Sequence, residues 1–236
     1  MAVTDLAAHS DSHPGPVSGP VHHMPAELLL DYASGTLAES WSLVVACHLT
    51  LCPHCRRELA AIEATAGAML EQIAPQPVRS AGFSAVAARL GPQEAAQTAT
   101  ASAPAEDGLP RPLREYLGIG LKDIRWRWSG TGLQSFALPM RKARGGMVSL
   151  LKVAPGAGLP MHTHTGDEMT LVLSGGYTVG ESAFRRGDVE IADGSIEHSP
   201  TAMTDRPCIC LVVTDAPLRF SGSFGWLLNQ WARFSA

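Results

Sequence analysis

The stretch His48-Leu49-Thr50-Leu51-Cys52-Pro53-His54-Cys55 spells His-x3-Cys-x2-Cys, three donor side chains at metal-ligand spacing. Pro53 suits the first turn of a helix, where its missing N–H would have had no partner, so Cys52 falls at a helix start and Cys55 one turn inside it. The two sulfurs then converge. A helix N-terminus and a divalent ion each favour thiolate over thiol, and thiolate is the form that binds zinc. His48, four residues before Cys52, falls at the end of the preceding helix and closes the site from its other side. Structural zinc takes four ligands in a tetrahedron, so a fourth must come from elsewhere in the chain. His22 and His23, just before the helix start Pro25-Ala26-Glu27, are the candidates, with His23 preferred. His54, held inside the turn, is expected to point away from the sulfurs. Two buried cysteines that bind nothing, or a redox CxxC, are the competing readings. Thioredoxin-like motifs open a helix after a strand, however, and here the flanks read helical on both sides.

A second constellation lies further on. Gly156, His162, His164, Glu168 and Gly175 give Gly-x5-His-x-His-x3-Glu-x6-Gly. Period-two alternation puts both histidines on one face of a strand, and Thr165-Gly166-Asp167 lets the chain turn so that Glu168 approaches the same point. A second block runs from Gly187-Asp188 through three strand residues and a turn at Asp193-Gly194 to His198. Three histidines and a carboxylate make a metal site that accepts Zn, Mn, Fe or Ni according to geometry and supply. No further acid, base or nucleophile is recognisable beside it. Cys208 and Cys210 lie on a strand that could face it, sharing a face but poorly placed for an easy disulfide, and they offer an alternative redox sensor.

The elements that must position these residues divide into two kinds. Leu28, Leu29, Leu30 and Tyr32 predict a short helix from Pro25 to Ser34, ending near Gly35. Thr36 reads as the N-cap of a second helix that carries Leu37, Trp41, Val44 and Val45 and ends by His48. The third helix is marked by Cys55, Leu59, Ile62, Ala66, Met69, Leu70 and Ile73 at spacings of three and four, and Pro75 and Pro77 stop it. Phe83, Val86, Ala87 and Leu90 give a fourth, amphipathic segment that either packs back on the bundle or lies in a partner's groove. A domain of roughly 60 residues is marginal alone, so a metal tying these helices together would be part of the fold. Beyond them come short runs with turns between: 124–128, 147–153, 169–173, 177–179, 189–191 and 208–213. They predict an antiparallel sandwich or barrel.

The expected organisation is therefore a disordered leader at 1–21, a helical zinc-binding domain at 22–90, a Pro- and Ala-rich linker at 91–112 and an all-β domain at 113–236, whose apolar tail (Phe224, Trp226, Trp231, Phe234) covers the barrel or meets another chain. A formal charge of −4, from 18 basic and 22 acidic side chains, gives no electrostatic reason to bind nucleic acid directly. Five cysteines, an odd number, argue against a secreted disulfide framework. With no apolar run near the roughly 18 residues that span a bilayer and no signal peptide, the expected location is the cytoplasm, away from membranes.

The His-x-His-x3-Glu block resembles the metal-binding motif of the cupin superfamily, and Asp193-Gly194-Ser195 departs from that family's Pro-x-Gly before the last histidine. Together, the His-x3-Cys-x2-Cys helices, the linker and the β-domain resemble the ChrR group of anti-sigma factors, from residue 22 to the C-terminus. The resemblance implies a non-catalytic regulator. Its N-terminal part would sequester an extracytoplasmic-function sigma factor by wedging between that protein's two DNA-reading domains, with zinc held by His23, His48, Cys52 and Cys55. Its C-terminal part would be an antiparallel cupin barrel or jelly roll that holds a second metal, also expected to be zinc, through His162, His164, Glu168 and His198. That part would be needed for the response to singlet oxygen or organic peroxide. The rival expectation is a metal-dependent cupin enzyme, a dioxygenase or isomerase, carrying a zinc-stabilised interaction domain.

Overall fold

In the computed structural model, which describes residues 19–77, 82–90, 108–140, 146–216 and 218–220, Pro25 stands in extended conformation as the N-cap of α1 (Ala26–Ser34). The helix closes at Gly35, whose left-handed backbone returns its N–H to Asp31 and Tyr32. Thr36 does not cap the next helix as its sequence position predicts. Its hydroxyl donates back to the Asp31 carbonyl at 3.2 Å, and Ala38 is the N-cap of α2 (Glu39–Leu51). That helix also runs past His48 to Leu51, because Pro53 ends it: the residue before a proline is pushed out of helical backbone, and Cys52 accordingly has φ −108° and ψ 104°. Pro53 opens α3 (Pro53–Glu71), and α4 (Gly82–Arg89) follows. A further helix, α5 (Arg111–Leu117), stands where the linker was expected to end. Prolines at 110 and 112 look like linker, yet Pro112 sits in a first turn that needs no N–H from it, and Leu113 is fully buried.

The strands are β1 (Arg127–Gly130), β2 (Leu133–Ala137), β3 (Met147–Val153), β4 (His162–His164), β5 (Glu168–Ser174), β6 (Gly176–Val179), β7 (Ser182–Arg185), β8 (Val189–Ala192), β9 (Thr201–Ala202), β10 (Cys208–Thr214) and β11 (Leu218–Phe220). The first predicted strand is shifted: residues 121–123 form a 3₁₀ turn, and β1 starts only at Arg127. All pairings are antiparallel, in a six-stranded sheet ordered β1-β2-β3-β10-β5-β8, a pair β11-β4 and a three-stranded sheet β7-β6-β9. The result is a cupin-like antiparallel domain in separate sheets.

The central strand β10 explains how helices and sheet fit. Cys208, Cys210 and Val212 face a core shared with Val172, Tyr177 and Phe184, while Ile209, Leu211 and Val213 face the other way. That second face meets α2, and Leu43, Val44, Val45 and Leu49 share one continuous apolar cluster with Leu150, Met169, Leu171 and Leu211. Each such side chain removed from water contributes about 1.5–3 kcal/mol. The run 208–213 is apolar at every position because both faces of the strand are covered.

The end of the expected leader is ordered against the β-domain. Backbone N–H groups of Val21 and His22 donate to Asp188 Oδ1 at 2.7 and 3.0 Å. Residues 1–18, the linker from 91 to 107 and the apolar tail from 221 lie outside the described residues.

Two candidate metal centres

At the first centre, the extended Cys52 places its sulfur over the open end of α3, where it accepts from the Cys55 N–H at 3.4 Å. His48 comes in from the last turn of α2 with Nε2 at 3.2 Å from Cys55 Sγ, and His23 brings Nδ1 to 3.3 Å from Cys52 Sγ. One donor atom from each of these four residues lies within 4.8 Å of every other. Bonds of about 2.0–2.3 Å at tetrahedral angles separate donors by roughly 3.3–3.8 Å, so a zinc ion fits this set with little movement. His22 is turned to Asp188, 3.5 Å from Oδ2, and exposed His54 stacks on the His23 ring at 4.2 Å without joining the cluster.

Electrostatics say the same. Burial pushes the His48 imidazole down to about 4, and burial with the adjacent Cys52 pushes the Cys55 thiol up to about 11. Desolvation thus disfavours thiolate in the bare pocket, and a divalent cation supplies the counter-charge that makes thiolate the stable form. The Nδ1–H of His48 donates to the Gly187 carbonyl at 2.8 Å, which leaves Nε2 with its lone pair aimed at the cluster.

The second centre is built by β4, whose alternation buries His162 and His164 side by side. His198 is brought across by paired backbone hydrogen bonds with His162, both 3.0 Å. The turn before it, lacking Pro-x-Gly, is made instead by Asp193, whose Oδ1 accepts from the Ser195 N–H at 2.8 Å. Nε2 of His198 lies 3.1 Å from Nε2 of both His162 and His164. His162 Nδ1–H donates to the Pro160 carbonyl at 2.8 Å and His198 Nδ1–H to Glu190 Oε1 at 3.1 Å. In the neutral rings, Nε2 of both residues is then an acceptor. Two acceptors at that distance repel unless a cation stands between them; the Glu190 hydrogen bond raises His198 and favours a proton there, and a metal ion fits the same donor set.

Glu168 is placed differently from the histidines. It lines the same cavity, but its Oε2 stands 3.7 Å from His164 Nδ1, on the far side of that ring, and its oxygens are outside the three-imidazole cluster. Burial pushes its carboxyl up to about 7, and burial with the neighbouring imidazoles takes His164 down to about 4. His164 Nδ1 is buried without a hydrogen-bond partner. The cavity, of about 60 Å³, is also lined by Thr170, Tyr177 and Glu190, by apolar groups such as Leu151, Leu159 and Val212, and by Cys208 and Cys210. Those two sulfurs are buried and 3.5 Å apart, and their mutual contact followed by burial holds the Cys210 thiol well above its usual range.

Three residues of these sites escape a sequence reading. Asp188 ties down the segment before His23, Glu190 orients His198, and Tyr177 donates to Glu190 Oε2 at 2.6 Å. Burial opposes ionisation of Glu190, but the His198 and Tyr177 hydrogen bonds outweigh it and hold the carboxyl below its usual range. The available signal was a lone carboxylate in Val189-Glu190-Ile191, which alternation turns toward the cavity.

Comparison with known proteins agrees with this architecture. The family described as the ChrR Cupin-like domain matches residues 115–217. The Anti-sigma-E factor ChrR of Cereibacter sphaeroides is 40% identical over 214 residues, covering 90% of this chain and 98% of that protein. Among solved structures, that of Rhodobacter sphaeroides SigE in complex with the anti-sigma ChrR aligns with a TM-score of 0.72 and 38% identity over 83% of this chain and 100% of the matched one. With that identity along nearly the full length of both chains, this chain belongs to the ChrR family of anti-sigma factors.

Proposed function

We propose that this chain is an anti-sigma factor that binds an extracytoplasmic-function sigma factor through its helices and releases it when an oxidative signal, singlet oxygen or organic peroxide, acts on the cupin. The observation that carries this reading is the apolar surface left bare by the helices. Phe83 is 86% exposed and Leu90 73%, with Val86, Met69, Leu70 and Ile73 exposed as well. That arm finds no place on its own bundle, and a solved relative is a SigE–ChrR complex. Residues 22–90 form the sigma-binding domain, with 19–21 joined to it, 91–110 the connection and 111–236, from α5 onward, the cupin.

His23, His48, Cys52 and Cys55 hold a structural zinc, closed to further ligands, that pins α1, α2 and α3 together. His162, His164 and His198 hold a second metal, taken as zinc, and Glu168 completes the set by turning toward it. There the metal supplies a Lewis-acidic centre facing a small cavity. The rival reading, a cupin dioxygenase or isomerase, predicts turnover of a small organic substrate by the metal-loaded chain. The chain acts as a regulator without catalysis, in the cytoplasm, and touches DNA only through its partner. No helix among the described residues is long and apolar enough to cross a membrane.

Co-purification with the sigma factor tests the reading. Phe83→Asp with Leu90→Asp should abolish the complex while metal content and the circular dichroism spectrum stay unchanged. An undiminished complex would show that the arm is not the docking surface.

A further inference from the structure

Four consecutive residues, Gly187-Asp188-Val189-Glu190, touch both centres. The Gly187 carbonyl accepts from His48 Nδ1–H at 2.8 Å. Asp188, 2% exposed, takes the Val21 and His22 N–H groups on Oδ1 and the Arg185 N–H, at 2.7 Å, on Oδ2. Val189 N–H donates to the His22 carbonyl at 3.3 Å, so the chain is clamped at the residue before His23. Glu190, two positions further, holds His198 Nδ1–H on one oxygen and the Tyr177 hydroxyl on the other. Gly187 has φ +90°, and a Cβ there would stand 2.5 Å from Pro20 Cγ, so only glycine lets the leader segment pass this close.

We propose that residues 187–190 are a strut that couples the two centres, so that metal occupancy at His162, His164 and His198 sets how tightly His23, His48, Cys52 and Cys55 hold theirs. The inference rests on the two-centre reading above. The physical route is short. A metal at the cupin centre fixes the His198 ring, the ring fixes Glu190 through one charge-assisted hydrogen bond, and Glu190 shares a backbone segment with the carbonyl that aims His48. When the cupin centre empties, His198 and Glu190 lose their fixed partner, and the Gly187 carbonyl and the Asp188 clamp lose their support. By linkage the effect is reciprocal. Asp188 and Glu190 are thus positioning residues for ligands of both centres. This gives a loss of metal in the β-domain a direct path to the helices that does not need the 91–107 segment.

The test uses full-length protein loaded with cobalt(II). Only the helical centre has sulfur ligands, so its thiolate-to-cobalt absorption reports that centre alone, while the d–d bands report both. The rate at which the thiolate band is lost to excess EDTA is measured with the cupin centre filled, and again with it emptied by His164→Ala. Emptying should speed the loss about 10-fold or more, in the range of second-shell effects on metal affinity. In a Glu190→Ala background the same emptying should change the rate by less than about twofold, and Glu190→Gln, which keeps an oxygen acceptor for His198, should restore the difference. A role in holding the domains together would not give this selective rescue. Wild-type protein provides the control against misfolding: loss of the thiolate band should lag and then accelerate once the cupin d–d bands have gone. Equal rates whatever the cupin occupancy overturn the coupling. Binding of one cobalt in place of two overturns the two-centre reading and the coupling with it.

Discussion

The helical centre takes three donors from the single stretch His48–Cys55 and closes on itself, while the cupin centre gathers its imidazoles from β4 and the turn after β8, and leaves a cavity beside them. Sulfur and imidazole in a closed set suit a metal that holds a fold; imidazoles around a small open space suit a metal that something else can reach. Yet both use the same device to aim a histidine, an acceptor on Nδ1 that frees Nε2: the Gly187 carbonyl for His48, Glu190 for His198. The contrast fits the proposed division of labour, in which binding rests on the closed centre and sensing on the open one.

The strongest way to break that division is to remove a sulfur. Cys52→Ser or Cys55→Ser should cut bound zinc from two per chain to one and abolish the sigma complex, since metal binding in such small helical units supplies on the order of 10 kcal/mol of folding free energy. Elemental analysis beside a co-purification assay checks it. A variant that binds the sigma factor normally with one zinc would make the helical centre dispensable. Next in size is the choice of fourth ligand. His23→Ala should lose the helical zinc, whereas His22→Ala should keep it, because the His22 ring turns to Asp188 and Phe184 while His23 Nδ1 is the nitrogen at Cys52 Sγ. Equal zinc retention in both would move the fourth ligand elsewhere.

The smallest expected effect is the response of the metal-free chain to acid. Burial holds His48 and His164 at about 4 in the folded chain against 6.5 unfolded, so the unfolded state binds more protons between those values. Their contribution is complete above about 6.5 and is lost as pH falls toward 4. Glu168, raised to about 7 from 4.5, works in the opposite sense over 4.5 to 7. The lowered His162 and Glu190 act with these two imidazoles and the raised His198 acts with Glu168, so the balance is a loss of stability toward pH 4. Urea midpoints at pH 7 and pH 4 read it, and a flat midpoint would mean that these groups are not buried as described.

What the sequence discloses follows from how local each constraint is. The His48–Cys55 stretch is legible because helix geometry and one proline set its spacing, and β10 because covering both faces makes every residue apolar. The end of α2 is legible too, because Pro53 and not His48 dictates where helical backbone must stop. Asp188 and Gly187 were hidden, because their importance lies in partners more than 100 positions away, as with His48 and Gly187, separated by 139, while Glu190 was hidden because the strand pairing that brings it to His198 and Tyr177 is not set by local spacing. The same non-locality hid α5 and the ordered residues 19–21. Both are explained by what they pack against, and neither by its own composition. His198 stood where the sequence placed it, but its turn is made by Asp193, a solution that the family pattern did not predict.

The central claim is that the open centre senses while the closed one binds, and transcription from a sigma-dependent promoter, with and without singlet oxygen, tests it most directly in cells carrying full-length protein with Glu168→Ala. Glu168 lies in the cupin cavity and is not part of the exposed arm on α4, so the account predicts repression as strong as wild type without the oxidant and a blunted rise with it. Full induction of the Glu168→Ala strain by singlet oxygen would contradict the account and move the sensor to the Cys52 and Cys55 sulfurs.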